Sequence, residues 1–369
     1  MKKAVIVIPT YNEAGNIKKL MADVFDHVKT IPNWEIEILF VDSNSEDGTG
    51  DIIRELQQTN KKIHLLSTPK EGLGKAYIKG FQYAIEKLNA YLLFEMDADL
   101  SHDHSQIADF IKKIEKGADF VIGSRYIKGG SIPKEWGWHR KVFSYCGNLI
   151  IRAGFMKLKI HDWTDGYRAI KSWLIKDSMS HIRHYSGYVF QIALLDYAVK
   201  HHANIVEIPT SFKERSYGRS KINAIQYILN IIVYILRNSS FIKFVFVGGL
   251  GFFIDLGIFY YFTKYAHLLS WHANLISTET AVIANFFLNN FWSFKHKKIE
   301  HKASAYIFQF LKFNVISSGS IVIQTVGVEL AKMAFGAHNI YLYKVLIIFF
   351  IVIPYSYIFY NKFVWKEKK

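Results

Sequence analysis

Apolar residues are distributed along the chain in two unlike halves. Residues 4–8 form a short unbroken apolar run, as expected of a strand covered on both faces in a parallel sheet. Behind it, Ile17, Leu20, Met21, Val24, Phe25 and Val28 recur at helical spacing. The alternation continues, with strands predicted near residues 37–41, 63–66, 91–96 and 120–122 and helices over 75–88 and 106–115. Strand and helix in turn predict an α/β fold with a doubly wound sheet, which binds its ligands beyond the carboxyl ends of the strands.

From Lys221 the pattern changes. Residues 222–237 place Asn223, Gln226, Asn230, Tyr234 and Arg237 on one stripe among isoleucines and leucines. That predicts an amphipathic helix at a membrane surface, or one packed on the domain before it. Four apolar stretches follow near 241–263, 272–292, 306–332 and 341–363, each reaching the ~20 residues that span a bilayer. Ser277, Thr278, Glu279 and Thr280 make the second the weakest. The predicted domains are therefore 1–221, 222–240 and 241–369. Lys295, Lys297, Lys298 and Lys302 between spans two and three, with Lys366, Lys368 and Lys369 after span four, place the basic loop, both ends and the first domain in the cytoplasm.

Composition adds a partner class. A net charge of +15 over 369 residues implies an anionic partner: nucleic acid, phospholipid or a phosphorylated substrate. The basic residues gather at membrane flanks and no RNA or DNA motif occurs, which excludes a nucleic-acid partner. A single cysteine, Cys146, rules out an internal disulfide. Residues 1–3 lead straight into the first strand, so no signal peptide is expected.

Three polar clusters fall at predicted strand ends: PTYNE (9–13), VDSNSEDGT (41–49) and MDADLSHDH (96–104). Asn, Asp, Ser and Gly are also what turns use. Asp97 and Asp99 lie two apart and point the same way if extended. Such a pair is either a solvated acidic turn or shares a hard divalent cation. His102, Asp103 and His104 invite a histidine metal site, although helix capping by Asp103 or His104 explains them as well. GLGK (72–75) has Pro69 in place of the earlier P-loop glycine, and no GxGxxG follows the first strand, so two common nucleotide motifs fail.

In order, PTYNE, VDSNSEDGT, GLGKAY (72–77), MDADLSHDH, GSRYIKGG (123–130), TDGYRAIK (164–171) and FKERSYGRSK (212–221) resemble a family-2 glycosyltransferase of GT-A fold, of the dolichol-phosphate mannose synthase kind. FVFVGGLGFFIDLG (244–257) and NFFLNNFWSFKHK (285–297) are similar to a GtrA-like four-helix membrane domain. The resemblance implies an inverting transfer of mannose from GDP-mannose to dolichyl or another polyprenyl phosphate at the membrane. It places Pro9, Tyr11, Glu13 and Asp42 on the nucleotide, and Asp97 and Asp99 on Mg²⁺ or Mn²⁺ at the donor diphosphate. Ser101 stands where some relatives carry a glutamine ligand, and Ser43 where a second aspartate is usual. Arg125 and Arg140 would meet the acceptor phosphate, with Arg215 and Lys221 closing over the phosphates. Asp162 and Asp165 match the place of a catalytic base in sugar-elongating relatives, or serve the fold. An ionised acceptor phosphate needs no such base. Other readings are a UDP-sugar donor and a lipid-sugar flippase. Asp255 and Glu279, acids within spans, are expected to be protonated or paired with polar groups such as Asn285.

Overall fold

The computed structural model describes residues 1–29, 31–185, 187, 189–214, 224–297, 299 and 302–366. The chain forms two compact units, one of residues 1–153 and 157–234 and the other of 154–156 and 235–369.

In the first unit, strands β1 (Lys2–Thr10), β2 (Trp34–Asp42), β3 (Ile63–Ser67), β4 (Leu92–Glu95) and β5 (Phe120–Ser124) alternate with helices α1 (Ala14–Val28), α2 (Thr49–Thr59), α3 (Leu73–Glu86) and α4 (Ile107–Glu115). Helix α5 (Trp138–Phe155), strand β6 (Arg168–Lys171), helices α6 (Ser172–Ile182) and α7 (Val189–Lys200), strand β7 (Ile205–Pro209) and helix α8 (Ala224–Asn238) complete the series, the last residues of α5 and α8 counting with the second unit. The sheet order is β3-β2-β1-β4-β6-β5-β7, with β6 antiparallel to both neighbours and the remaining pairs parallel. β1 sits between β2 and β4, so the chain reverses its direction of travel across the sheet there. PTYNE, VDSNSEDGT and the DAD turn all emerge at that switch point, where ligands of such sheets bind.

Alternate β1 residues explain the unbroken apolar run. Ala4, Ile6 and Ile8 join α1 and α4 through Leu20, Val24 and Phe110 in one fully buried core. Val7 turns to the opposite face, where α3 comes close through Gly80. A Cβ on Gly80 would lie 2.6 Å from Val7 Cγ1 and 2.7 Å from Val41 Cγ2. Gly80→Ala is therefore expected to lower the unfolding temperature in detergent. Overpacking of this kind costs about 1–3 kcal/mol, against a gain of roughly 1 kcal/mol in helix propensity. An unchanged melting temperature would contradict the packing described.

The second unit holds α9 (Ser240–Lys264), α10 (Ser270–Leu288), α11 (Ala303–Phe335), α12 (Ile340–Ile347) and α13 (Ile353–Phe359), the last two within one long helical span, 340–364. Three helices among the described residues are long and apolar enough to cross a bilayer: α9, α11 and residues 340–364. The fourth expected stretch is helical as α10, but its Ser-Thr-Glu-Thr interruption keeps it below that apolarity. α10 lies along α9. Ser277 donates from Oγ to Asp255 Oδ1 at 2.6 Å, and Thr278 Oγ1 lies 3.4 Å from the same oxygen. Asp255 thus takes hydroxyl partners, while the Asn285 side chain rests against Gly251.

Candidate active site

The rim of the switch point is laced side chain to backbone. Asp42, at the end of β2, accepts from Thr10 Oγ1 at 3.0 Å and from the Ser45 hydroxyl and N–H at 2.6 and 2.9 Å. Asn12 N donates to Ser45 Oγ, Glu13 N to Thr49 Oγ1 and Ala14 N to Asp47 Oδ2, all at 2.9–3.0 Å. Asn12 and Asn44 hold φ values of 56° and 52°, a left-handed conformation that asparagine tolerates better than most side chains. The two turns therefore form one rim carrying Pro9, Tyr11, Glu13 and Asp42. Glu13 accepts from Asn16 Nδ2 at 2.7 Å, and the Lys70 ammonium sits 3.7 Å over the Tyr11 ring.

Beyond β4 the DAD turn is tightly wound. Leu100 has φ 63°, and the Ser101 N–H donates to Asp99 Oδ1 at 3.1 Å. Asp97 is half-buried at a cavity wall, while Asp99 is buried. Ser101 Oγ is sealed from solvent with no hydrogen-bond partner. The histidines serve the fold. His102 stacks on Tyr167 (4.7 Å, 6°) and accepts from Asp97 N, and His104 Nδ1 meets Asp23 Oδ2 at 2.5 Å. Asp103 caps the next turn, accepting from the Ser105 N–H and hydroxyl. Among the described residues no three His, Cys, Asp or Glu gather to hold an ion. Asp97 and Asp99, two carboxylates with an unpartnered serine oxygen in the same turn, are of the type that would hold a hard divalent cation, with a bound phosphate supplying further oxygens.

Arg125 follows β5 and is held from all sides. It donates from Nε to Asp162 Oδ2 and from Nη2 to Asp162 Oδ1, both at 2.8 Å, and from Nη2 to Thr164 Oγ1 at 2.9 Å. Asp165 Oδ2 lies 3.1 Å from Nε. Burial alone would raise the Asp162 carboxyl, but the Arg125 guanidinium and surrounding N–H groups hold it below the usual range. Burial and the Asp162 charge push Asp165 the other way. Asp162 also accepts from the N–H groups of Arg125, Thr164 and Asp165, which is a fold role. The trio carries one net negative charge, so any phosphate approaching Arg125 meets a cation already balanced.

Deeper still, Glu95 is wholly buried two residues before Asp97, and burial pushes its carboxyl up to about 7. Gln191 Nε2 donates to it at 3.3 Å, while the Arg168 guanidinium spends its donors on three carbonyl oxygens, of Asp165, Gln191 and Trp163.

These groups enclose a cavity of about 210 Å³. Asp97, Thr164, Gly166, Gln191 and the charge-balanced Arg125 supply its polar lining. Arg140 also lines it, stacked on Trp136 at 3.8 Å and 3.8 Å from the Glu214 carboxylate, with Phe143, Phe212 and Tyr227 in the same lining. The FKE of the last catalytic motif runs beside the DAD turn, with Lys213 N donating to Ser101 O at 2.9 Å. Arg215 and Lys221 lie outside the described residues. Asp97, Arg125 and Arg140 thus meet in one cavity, with Asp99 and Ser101 in the turn behind Asp97. Sequence reading missed Gln191, Trp136 and Phe212 as wall residues. Their only signal is that Trp136 opens the WGWHRK stretch (136–141) that holds Arg140, and Phe212 opens FKERSYGRSK.

An acid and two arginines lining one cavity at the carboxyl edge of a doubly wound sheet suit group transfer between two anionic partners. Comparison with known proteins makes that transfer glycosyl. The Glycosyl transferase family 2 model matches residues 5–181, and the GtrA/DPMS transmembrane domain model matches residues 243–365. A polyprenol monophosphomannose synthase of Mycolicibacterium smegmatis is 35% identical over 60% of this chain and 82% of its own length. An undecaprenyl-phosphate mannosyltransferase of Micrococcus luteus is 35% identical over 60% and 88%. A dolichol-phosphate mannosyltransferase of Pyrococcus furiosus is 28% identical over 87% and 88%. The chain belongs to glycosyltransferase family 2, as a multi-pass membrane enzyme with an N-terminal catalytic domain.

Proposed function

We propose that the enzyme transfers mannose from GDP-mannose to dolichyl or another polyprenyl phosphate, with inversion at the sugar carbon. The observation that carries this reading is the mixed lining of the cavity, in which Asp97 suits a metal-bound diphosphate and Arg140, Trp136 and Phe143 suit a phosphate on an apolar chain. The names of the three relatives support mannose and a polyprenyl acceptor.

In this reading Pro9, Tyr11, Glu13 and Asp42 bind the nucleoside. Asp97 and Asp99, with Ser101 as a further oxygen, hold Mg²⁺ or Mn²⁺. When bound, that ion offsets the negative charge of the departing diphosphate. Arg140 receives the acceptor phosphate, and Arg125, its charge balanced by Asp162 and Asp165, is held by them in the lining of the same cavity. Arg215 and Lys221 are assigned to the same phosphates on their motif alone. The acceptor oxygen is already ionised, so it attacks the anomeric carbon without a base. The chain's own work is to align the two anions and screen them from each other. The apolar outer face of α5, with Trp138, Val142, Tyr145 and Leu149 exposed, suits contact with the bilayer that delivers the acceptor. The lysine-rich connection at 295–302 supports a cytoplasmic catalytic domain.

Supplying purified protein with Mn²⁺, polyprenyl phosphate and a panel of labelled nucleotide sugars tests the donor. Label is expected in the lipid fraction from GDP-mannose. Transfer from UDP-glucose alone would overturn the mannose assignment.

A further inference from the structure

One wall of the cavity is placed by contacts well away from it. Tyr227, Ile228 and Ile231 of α8 face the cavity. Further along the same face, Tyr234 is 2% exposed and donates from its hydroxyl to Asp196 Oδ2 at 2.9 Å. Asp196, equally buried, also accepts from Lys200 Nζ at 2.7 Å. His181 Nε2 lies 3.4 Å from the same hydroxyl, and the Tyr185 ring meets Tyr234 edge-on at 4.9 Å. Burial, with the Asp196 charge beside it, pushes the Tyr234 phenol far up, so it remains an O–H donor. Asp196 sits on α7, whose first turn brings Gln191 to the cavity.

α8 is apolar on two sides. The inward stripe is Tyr227, Ile228, Ile231 and Tyr234, whereas Leu229, Ile232, Val233 and Leu236 are exposed. Hydrophobic burial is non-directional. It therefore discriminates poorly between two apolar faces, and rolling the helix would exchange one for the other. A buried hydrogen bond to a carboxylate is directional and expensive to leave unmade. The polar stripe read from the sequence included Tyr234, yet this residue is turned inward while Gln226, Asn230 and Arg237 stay exposed.

We infer that Tyr234 and Asp196 form a rotational latch, a positioning pair that holds Tyr227, Ile228 and Ile231 as the acceptor-side wall of the cavity. The inference rests on the reading of the acceptor as a lipid phosphate. Y234F removes the hydroxyl and keeps the ring, whereas D196N keeps an oxygen for Tyr234 to bond. The apparent KM for polyprenyl phosphate is expected to rise about tenfold in Y234F, consistent with loss of a hydrogen bond to a charged group, with KM for the nucleotide sugar and kcat within about twofold. D196N, which keeps the hydrogen bond but not its charge, is expected to raise the KM for polyprenyl phosphate less than Y234F does. If Y234F alone does not fold, the double variant Y234F/D196N, which leaves no buried unpaired charge, is expected to show the same rise. Both KM values unchanged, or both raised alike, would overturn the latch, as would a loss confined to thermal stability. Hydrogen exchange of the 224–238 amides is the readout independent of the acceptor. Y234F is expected to speed it at least tenfold, and equal exchange would overturn the latch. If the wild type gives no lipid product, the functional reading fails and the exchange result alone decides the latch.

Discussion

Asp97→Asn should reduce sugar transfer by about a thousandfold while leaving the fold intact, a loss of the size seen when one group that stabilises transition-state charge is removed. The substitution is nearly isosteric. A bond that holds the turn at this residue runs from its backbone N–H to His102 Nδ1 and is kept in the variant. What is lost is one of two carboxylates available to a divalent ion, and the one that reaches the cavity. Asp99→Ala should be as inactive, but it also removes the acceptor of the Ser101 N–H and is the less clean test. Initial rates beside a thermal melt check the prediction. A variant that keeps a tenth of wild-type activity would remove Asp97 from the machinery.

The second large effect concerns stability. Asp162→Ala should cost about 3–5 kcal/mol: Asp165 still balances the guanidinium, but several buried N–H donors lose their acceptor, at about 1–3 kcal/mol each. Arg125 is 8% exposed and Asp162 not at all, and three N–H groups would lose their acceptor with the carboxylate. The pH dependence has a definite sign. Arg125 and the surrounding N–H groups hold the Asp162 carboxyl below its ordinary value, so its contribution is fully present above about pH 4. It fades as the pH falls through the lower value of the folded state. Asp165, raised by burial, acts in the opposite direction. The quantity to follow is therefore the difference in unfolding temperature between wild type and Asp162→Asn, expected to be full at pH 7 and to shrink below about pH 4. A difference that grew on acidification would contradict the arrangement.

Much of the catalytic fold was legible because its strands are buried on both faces and read as unbroken apolar runs. β6 and β7 were not legible. β6 is a four-residue strand, Arg168–Lys171, with a buried arginine at its head, and β7 carries Glu207, whose carboxylate accepts from the His161 and Asp162 N–H groups. Short strands with charged side chains carry no clear period. The rim and the DAD turn were legible through ordered motifs, and Asp103 proved to be the cap that its position suggested. Tyr234 was misplaced because periodicity ranks a tyrosine with the polar residues and cannot see a buried carboxylate 38 residues away. Gln191 was invisible for the same reason. Nothing in FQIALL marks the glutamine as facing a cavity until β4 and α7 are brought together around Glu95.

The structure of the reaction product tests the central claim most directly. Labelled GDP-mannose and polyprenyl phosphate should give an organic-extractable mannosyl phosphate whose anomeric carbon is inverted, a β-linkage from the α-linked donor, as required by direct attack of an ionised phosphate in a single displacement. An α-linked product, or label that never enters the lipid phase, would contradict the account.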